Sequence, residues 1–249
     1  MTADTHAERR STARIAGSAM LAMFLVGIAF TVMLAPGIDI NLSADIEAVA
    51  KNMLAAEQAV RAKGYFSIFG FAMEAVFVIG LYLLVLPAGR LLAMWSLTMS
   101  LAAAVLSLLG AVFDLNVALF ASSSAFQTLA DESQRLLLAG TQVTSDYTSF
   151  HLGIVMGSLG KLGYFWLLLR SGMFPAILAG WGVFASMFVA FTIVARDFVP
   201  ALGNDGITIA FMVSNMIAIV ASALYLVIKG VRPMGVVESP ALEASDAKA

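Results

Sequence analysis

Residues 64–86, GYFSIFGFAMEAVFVIGLYLLVL, form an apolar run with a single charged residue, Glu74. A helix of about 20 apolar residues crosses the hydrocarbon core of a bilayer, which is about 30 Å thick. Five further apolar runs of similar length lie at about 15–35, 91–113, 147–169, 173–195 and 206–229. The sequence therefore predicts an all-α polytopic membrane helix bundle with six transmembrane helices.

The composition supports the membrane class and excludes several others. Hydrophobic residues make up 61% of the 249 residues and charged residues 12%, against about 25% charged in soluble chains. The net charge is −2 and no segment concentrates Lys and Arg, so we expect no nucleic-acid partner.

The chain has no Cys and only His6 and His151, which excludes disulfides, thiolate chemistry and a bis-histidine haem. We expect no cofactor and no bound metal, and the lipid bilayer is the expected partner.

The distribution of basic residues predicts the topology. Lys and Arg near span ends are retained in the cytoplasm. With the N-terminus inside, the inner segments hold eight basic residues and the outer segments five. The sequence thus predicts a cytoplasmic polar tail at 1–14, a six-span membrane domain at 15–230 and a disordered cytoplasmic tail at 231–249.

Two longer outer segments have amphipathic patterns. Over residues 46–61, apolar side chains recur at helical spacing opposite charged ones. We expect a bend at Gly64, because a straight helix over 44–86 would measure about 64 Å. A second amphipathic stretch covers 126–137. These segments predict two outer helices that cap the bundle or lie in the headgroup region.

Several short motifs resemble those of one bacterial membrane family. They are RIAG at 14–17, the segment 52–61, LYLLVLP at 81–87, and LRSGMFP at 169–175 followed by Leu178 and Gly180. The chain is similar to the uncharacterised integral membrane family catalogued as domain of unknown function 4386, over most of residues 10–230. The resemblance implies six spans in a bacterial cytoplasmic (inner) membrane and no established substrate.

Small residues mark the helix faces that pack closely in membranes. Three spans have such a face, and each face includes one charged residue. The faces are Ser67, Gly70 and Glu74 in span two, Ser96, Ser100, Ala103, Ser107, Gly110 and Asp114 in span three, and Gly153, Gly157 and Lys161 in span four. We expect these faces to point at protein. The glycines of span four also fit a dimer, so the oligomeric state stays open.

Glu74 and Lys161 are the main candidate site. An ionisable group in the hydrocarbon core costs about 2.5–3.5 kcal/mol, so it faces a partner or a water-filled cavity. The two residues differ in depth by about 6 Å, which a Lys side chain can reach. One interpretation is a small proton- or ion-coupled transporter or permeation protein in which Glu74 exchanges a proton or binds a small ion or molecule. The alternative is a non-catalytic binding or assembly protein in which the pair is structural.

Asp114 and His151 form a second candidate pair, near the outer ends of spans three and four. The competing interpretation is that both are interface residues in contact with water. Asp114, Asp146 and His151 are the one clustered set that could serve an interfacial enzyme, but one His and two Asp indicate a metal site only weakly. A retinal-bearing Lys161 does not fit six spans. We therefore predict no catalytic residue.

Reporter fusions test the predicted topology. A reporter that works only in the cytoplasm should be active when fused at Ala88, between spans two and three. The same reporter should be inactive at Gln127, which lies in the outer segment after span three. A cytoplasmic reporter that is active at Gln127 would overturn the topology.

Overall fold

The computed structural model describes residues 3–34, 36–43 and 45–232, and these residues form helices and connecting segments without strands. The helices are α1 (Ala3–Leu34), α2 (Ile40–Ser43), α3 (Ile46–Ala55), α4 (Glu57–Val85), α5 (Arg90–Ser122), α6 (Ser124–Leu129), α7 (Glu132–Arg170), α8 (Ala176–Arg196) and α9 (Asp205–Ile228). Six of these, namely α1, α4, α5, α7, α8 and α9, are long and apolar enough to span a membrane. The predicted six-span all-α architecture is confirmed.

The six long helices form a closed ring in chain order. Each contacts the next, α9 returns to contact α1, and α4 also touches α7. One end of the ring, which we call the cap side, carries α2, α3 and α6. The other end, the turn side, carries the short connections 86–89 and 171–175. The cap side of the ring thus carries short helices, whereas the helices of the turn side are joined by short connections.

The most extensive contact in the ring joins α5 to α7. A Cβ atom built on Gly160 would lie 2.9 Å from the carbonyl oxygen of Ser96, and one built on Gly153 would lie 3.2 Å from that of Ala103. The two backbones can therefore approach this closely because α7 presents glycine. The small-residue face of α5 is buried as predicted at Ser96, Ser100, Ala103, Gly110 and Asp114, whereas Ser107 is exposed.

The first amphipathic segment is divided at Ala56. Asp45 begins α3 by accepting a hydrogen bond from the Ala48 N–H at 3.0 Å, and α4 begins after Ala56, whose backbone is not helical. The expected bend at Gly64 is wrong. Gly64 lies inside α4, where a Cβ would come within 3.0 Å of Leu115, so this glycine permits close packing of α4 on α5.

The second predicted outer helix is divided between α6 and the start of α7. A capping box begins α7: the Asp131 carboxylate accepts from the Gln134 N–H at 2.8 Å, and the Gln134 side chain accepts from the Asp131 N–H at 3.0 Å. Hydrogen bonds from Gln134 and then Ser133 lower the pKa of the Asp131 carboxyl from its ordinary value. From this cap α7 runs for 39 residues to Arg170.

The structure describes most of the predicted N-terminal tail but only the first two residues of the predicted C-terminal tail. α1 already begins at Ala3, so most of the segment 1–14 belongs to the first helix rather than to a separate tail. Arg9 fixes this segment to the turn side by donating from Nη2 to the carbonyl oxygen of Leu84 at 3.1 Å. The predicted disorder at 231–249 falls, from Pro233 onward, outside the described residues.

The length of α8 sets the level of the membrane surface. Its 21 residues measure about 31 Å, close to the thickness of the hydrocarbon core. At the cap-side end of α8, Arg196 Nη2 donates to the Tyr147 hydroxyl at 3.1 Å. If α8 just crosses the hydrocarbon core, Tyr147 lies at the membrane surface on α7, and residues 132–146 of that helix extend beyond it together with the cap.

The two larger of three apolar clusters among the described residues stabilise the ring at different heights. The larger fills the turn-side half and includes Phe77, Leu84, Tyr164, Leu168 and Leu226. The smaller lies under the cap, where α3 buries Val49, Ala50 and Met53 against α5 and α7. Polar side chains occupy the space between these two cores.

Substitution of Gly160 tests the α5–α7 contact. The added methyl group of Gly160→Ala would meet backbone atoms of α5, so we expect the free energy of unfolding to fall by about 1–3 kcal/mol. Gly180→Ala is the matched control, because a Cβ there meets no atom within 4 Å and alanine favours the helix by up to about 1 kcal/mol. Unfolding of the purified protein in detergent measures both. Equal stability of the two variants would refute the close contact.

Candidate functional site

Lys63 joins three helices through two aspartates. Its Nζ atom, on α4, donates to Asp114 Oδ1 on α5 at 3.0 Å and lies 3.4 Å from Asp146 Oδ2 on α7. The side chains of Lys63, Asp114 and Asp146 are 14%, 3% and 12% exposed. Asp39, in the segment before α2, adds its negative charge to this environment. This cluster lies at the membrane surface on the cap side, because Asp146 precedes Tyr147.

A cavity of about 300 Å³ extends from this cluster into the membrane. Its polar lining comes from four helices and the segment before α2, and it includes Asp39, Lys63, Ser67, Glu74, Ser107 and Asp114. Lys63, Ser67, Gly70 and Glu74 share one face of α4 within about 60°. Glu74 lies 11 residues beyond Lys63 on α4, about 16 Å deeper and so near the middle of the hydrocarbon core.

Glu74 and Lys161, the main candidate pair, act on each other through their charges but are not in direct contact. In the described part of the chain, no hydrogen bond or ion pair joins them, although the charge of Lys161 still acts on the Glu74 carboxylate. Lys161 Nζ instead donates to Asn215 Oδ1 on α9 at 3.1 Å. Lys161 borders the turn-side core beside Phe77 and Tyr164. Lys161 is therefore bonded to α9, and its charge remains close enough to act on Glu74.

Asp114 and His151 do not form a pair either. Asp114 bonds to Lys63, whereas His151 Nδ1 lies 2.7 Å from the carbonyl oxygen of Tyr147, one turn earlier on its own helix. The imidazole also packs on the Tyr147 ring, with centroids 3.9 Å apart. Because Tyr147 contacts Arg196, His151 belongs to the α7–α8 surface and not to the cavity.

The motifs that resemble those of a known family are distributed over several helices and connections of the ring. The sequence matches the family described as "Domain of unknown function (DUF4386)" over residues 3–230. The chain belongs to the DUF4386 family. No curated protein and no solved structure matches it.

Lys63 is a site residue of this DUF4386 protein that hydropathy does not predict. Span two was predicted to begin at residue 64, which left Lys63 one position outside the membrane. The spacing of residues on a helix could have identified it, because Lys63 lies on the same face of α4 as Ser67, Gly70 and Glu74. Asp146 was missed as a partner for the same reason, since it directly precedes the predicted start of span four.

Acidic residues outnumber basic ones around the cavity. Asp39, Glu74, Asp114 and Asp146 line it, and Lys63 is the one basic residue among its described lining residues. Asp114 and Asp146 both interact with Lys63, and Asp39 accepts from the Asn41 N–H at 3.0 Å. Glu74 accepts no hydrogen bond from any described residue. The cavity of this DUF4386 protein therefore has an excess of acidic groups, and the deepest of them on α4 is Glu74, on which the charge of Lys161 acts.

Removal of the Lys63 ammonium tests the three-helix cluster. Lys63→Met would leave two mostly buried carboxylates without their cation, so we expect a loss of about 3 kcal/mol in the free energy of unfolding. Combining it with Asp114→Asn and Asp146→Asn should recover most of that loss. Lys51→Met is the matched control, because the Lys51–Glu47 pair is 59% and 72% exposed and should contribute little. Equal stability of Lys51→Met and Lys63→Met would contradict the assignment.

Proposed function

We propose that this protein is a small proton- or ion-coupled transporter in which Glu74 exchanges a proton or small ion with the cap side. The cavity that links the surface cluster to Glu74 is the observation that carries the proposal. A carboxylate at mid-depth is costly unless it serves a polar path, and here a lined path leads to it. If the cap side is the outer side, as the basic residues predict, Glu74 is loaded from outside the cell.

The path has a defined order of groups. Asp39 and the Lys63 cluster lie at the mouth, where they concentrate positive charge. Ser67 and Ser107 line the middle and supply hydroxyl groups for water or ion contacts. Glu74 lies at the deep end. This order suits a binding site that equilibrates with one aqueous face at a time.

The turn-side half of the ring supports alternating access rather than an open channel. Below Glu74 the ring is filled by the larger core, and Tyr164 is fixed there by a hydrogen bond of 3.0 Å from its hydroxyl to the carbonyl oxygen of Val78. Lys161 and Asn215 are the next polar pair on that side. Passage from Glu74 toward the turn side would require this core to rearrange.

A non-catalytic assembly protein is the second candidate. The observation that favours it is the junction of three helices at Lys63, which stabilises the bundle without any transport. The two functions differ in the requirement for an accessible Glu74. A purely structural protein needs the Lys63 cluster but gains nothing from a cavity beneath it.

Proton uptake into liposomes tests the proposal. Reconstituted protein with a pH-sensitive dye inside the vesicles should show uptake that Glu74→Gln abolishes. Gly70→Met should reduce it by about tenfold or more, because position 70 lines the cavity and has open space around a Cβ, so the longer side chain enters the path and leaves every charge unchanged.

The matched control is Gly180→Met, which adds the same side chain to α8 at a position that is equally open. Its uptake should equal that of the native protein. Uptake that persists in Glu74→Gln would exclude Glu74 as the exchanging group. A similar loss in both methionine variants would show that bulk on the helices, and not closure of the path, is responsible.

A further inference from the structure

The walls of the cavity are not those of a site for a bare metal ion. Besides its acids the cavity is lined by Phe66, Phe71, Phe150 and Met23. Hard cations such as Na⁺, Ca²⁺ and Mg²⁺ prefer shells of oxygen ligands, and no group of His, Asp and Glu that could hold a metal is found among the described residues. Aromatic faces and thioethers instead suit organic cations.

The size of the cavity points the same way. About 300 Å³ is the lower end of the range for small-molecule pockets. It corresponds to roughly ten waters at about 30 Å³ each. With a single proton or metal ion, water would have to fill the rest of that space, whereas a compact amine would fill it directly.

The charges give the ligand an orientation. Glu74 accepts no hydrogen bond from a described residue, although the charge of Lys161 acts on it, and it lies at the deep end beside Phe71 on α4. At the mouth, Lys63 already neutralises part of the charge of Asp114 and Asp146. A cationic head would therefore be drawn past Lys63 to Glu74, and its apolar groups would contact the Phe71 ring.

We propose that this cavity binds a small organic cation, a compact amine or quaternary ammonium, with its charge at Glu74 and its apolar groups against Phe71. This assignment deepens the proposed transport function and rests on it for its physiological meaning. The transported substrate would then belong to the class of small organic cations.

Choline and its neutral isostere 3,3-dimethylbutan-1-ol are a matched pair of probes, because they share shape and differ in charge. Titration calorimetry on the full chain in detergent should show choline binding at least about tenfold more tightly than the neutral alcohol, a difference of about 1.4 kcal/mol. Glu74→Gln should weaken choline binding by about tenfold or more. Phe71→Leu should weaken it by about two- to fivefold through loss of the cation–π contact.

Two variants separate binding from folding. Gly70→Met keeps every charge and should abolish choline binding by filling the cavity. Glu47→Gln, whose side chain is exposed on α3 outside the cavity, should bind choline as the native protein does. Equal affinity for choline and the alcohol, unchanged choline binding in both Glu74→Gln and Gly70→Met, or binding of Na⁺ in the absence of choline binding would each overturn the ligand class.

The two proposals fail separately. Proton uptake is measured without choline, and choline binding is measured without a membrane gradient. Proton uptake that depends on Glu74, combined with no choline binding, would refute the organic-cation proposal and support the transport proposal. Choline binding that depends on Glu74, without proton uptake, would support the organic-cation site and refute proton coupling.

Discussion

The close approach of α5 and α7 is the constraint on which the site depends. Glycines of α7 lie against the serine and alanine backbone of α5, and the same approach brings both Asp114 and Asp146 to one ammonium group. Gly110 takes part directly, because a Cβ at this position would overlap the Asp146 carboxylate. Packing and chemistry therefore use the same residues: the small side chains that let two helices touch also leave the space that the carboxylates and the cavity occupy.

Much of the fold follows from the sequence because the bilayer permits few alternatives. Backbone groups in hydrocarbon must be paired within a helix, and the thickness of the core fixes the number of residues that cross it. Six apolar runs therefore predict six spanning helices, and the faces around Ser100 and Gly157 predict where they touch. The placement of Glu74 at mid-depth within a small-residue face follows from the same periodicity.

The partners of the charged residues could not be predicted in the same way. Hydropathy locates the membrane but not the ends of helices that continue past it, and α4, α5 and α7 all extend beyond the surface. Lys63 and Asp146 were therefore placed in loops. Depth alone suggested that Glu74 and Lys161 meet, but contact also depends on the rotation of each helix within the ring. Lys161 points toward Asn215 on α9, which no spacing in the sequence specifies.

Under the proposed transport function, the excess of acid in the cavity would link ligand binding to a change of conformation. Four carboxyl groups and one ammonium line the cavity, and Lys63 offsets the repulsion only at Asp114 and Asp146, at the edge of a medium in which charge is poorly solvated. A proton or an organic cation at Glu74 removes the deepest of these charges. The turn-side core next to Glu74 is apolar, so it can close around a neutralised Glu74 at far lower cost than around an ionised one. A ligand with that differential effect shifts the equilibrium between conformations. In this arrangement the ring would move only when Glu74 is loaded, which is the coupling that a transporter needs.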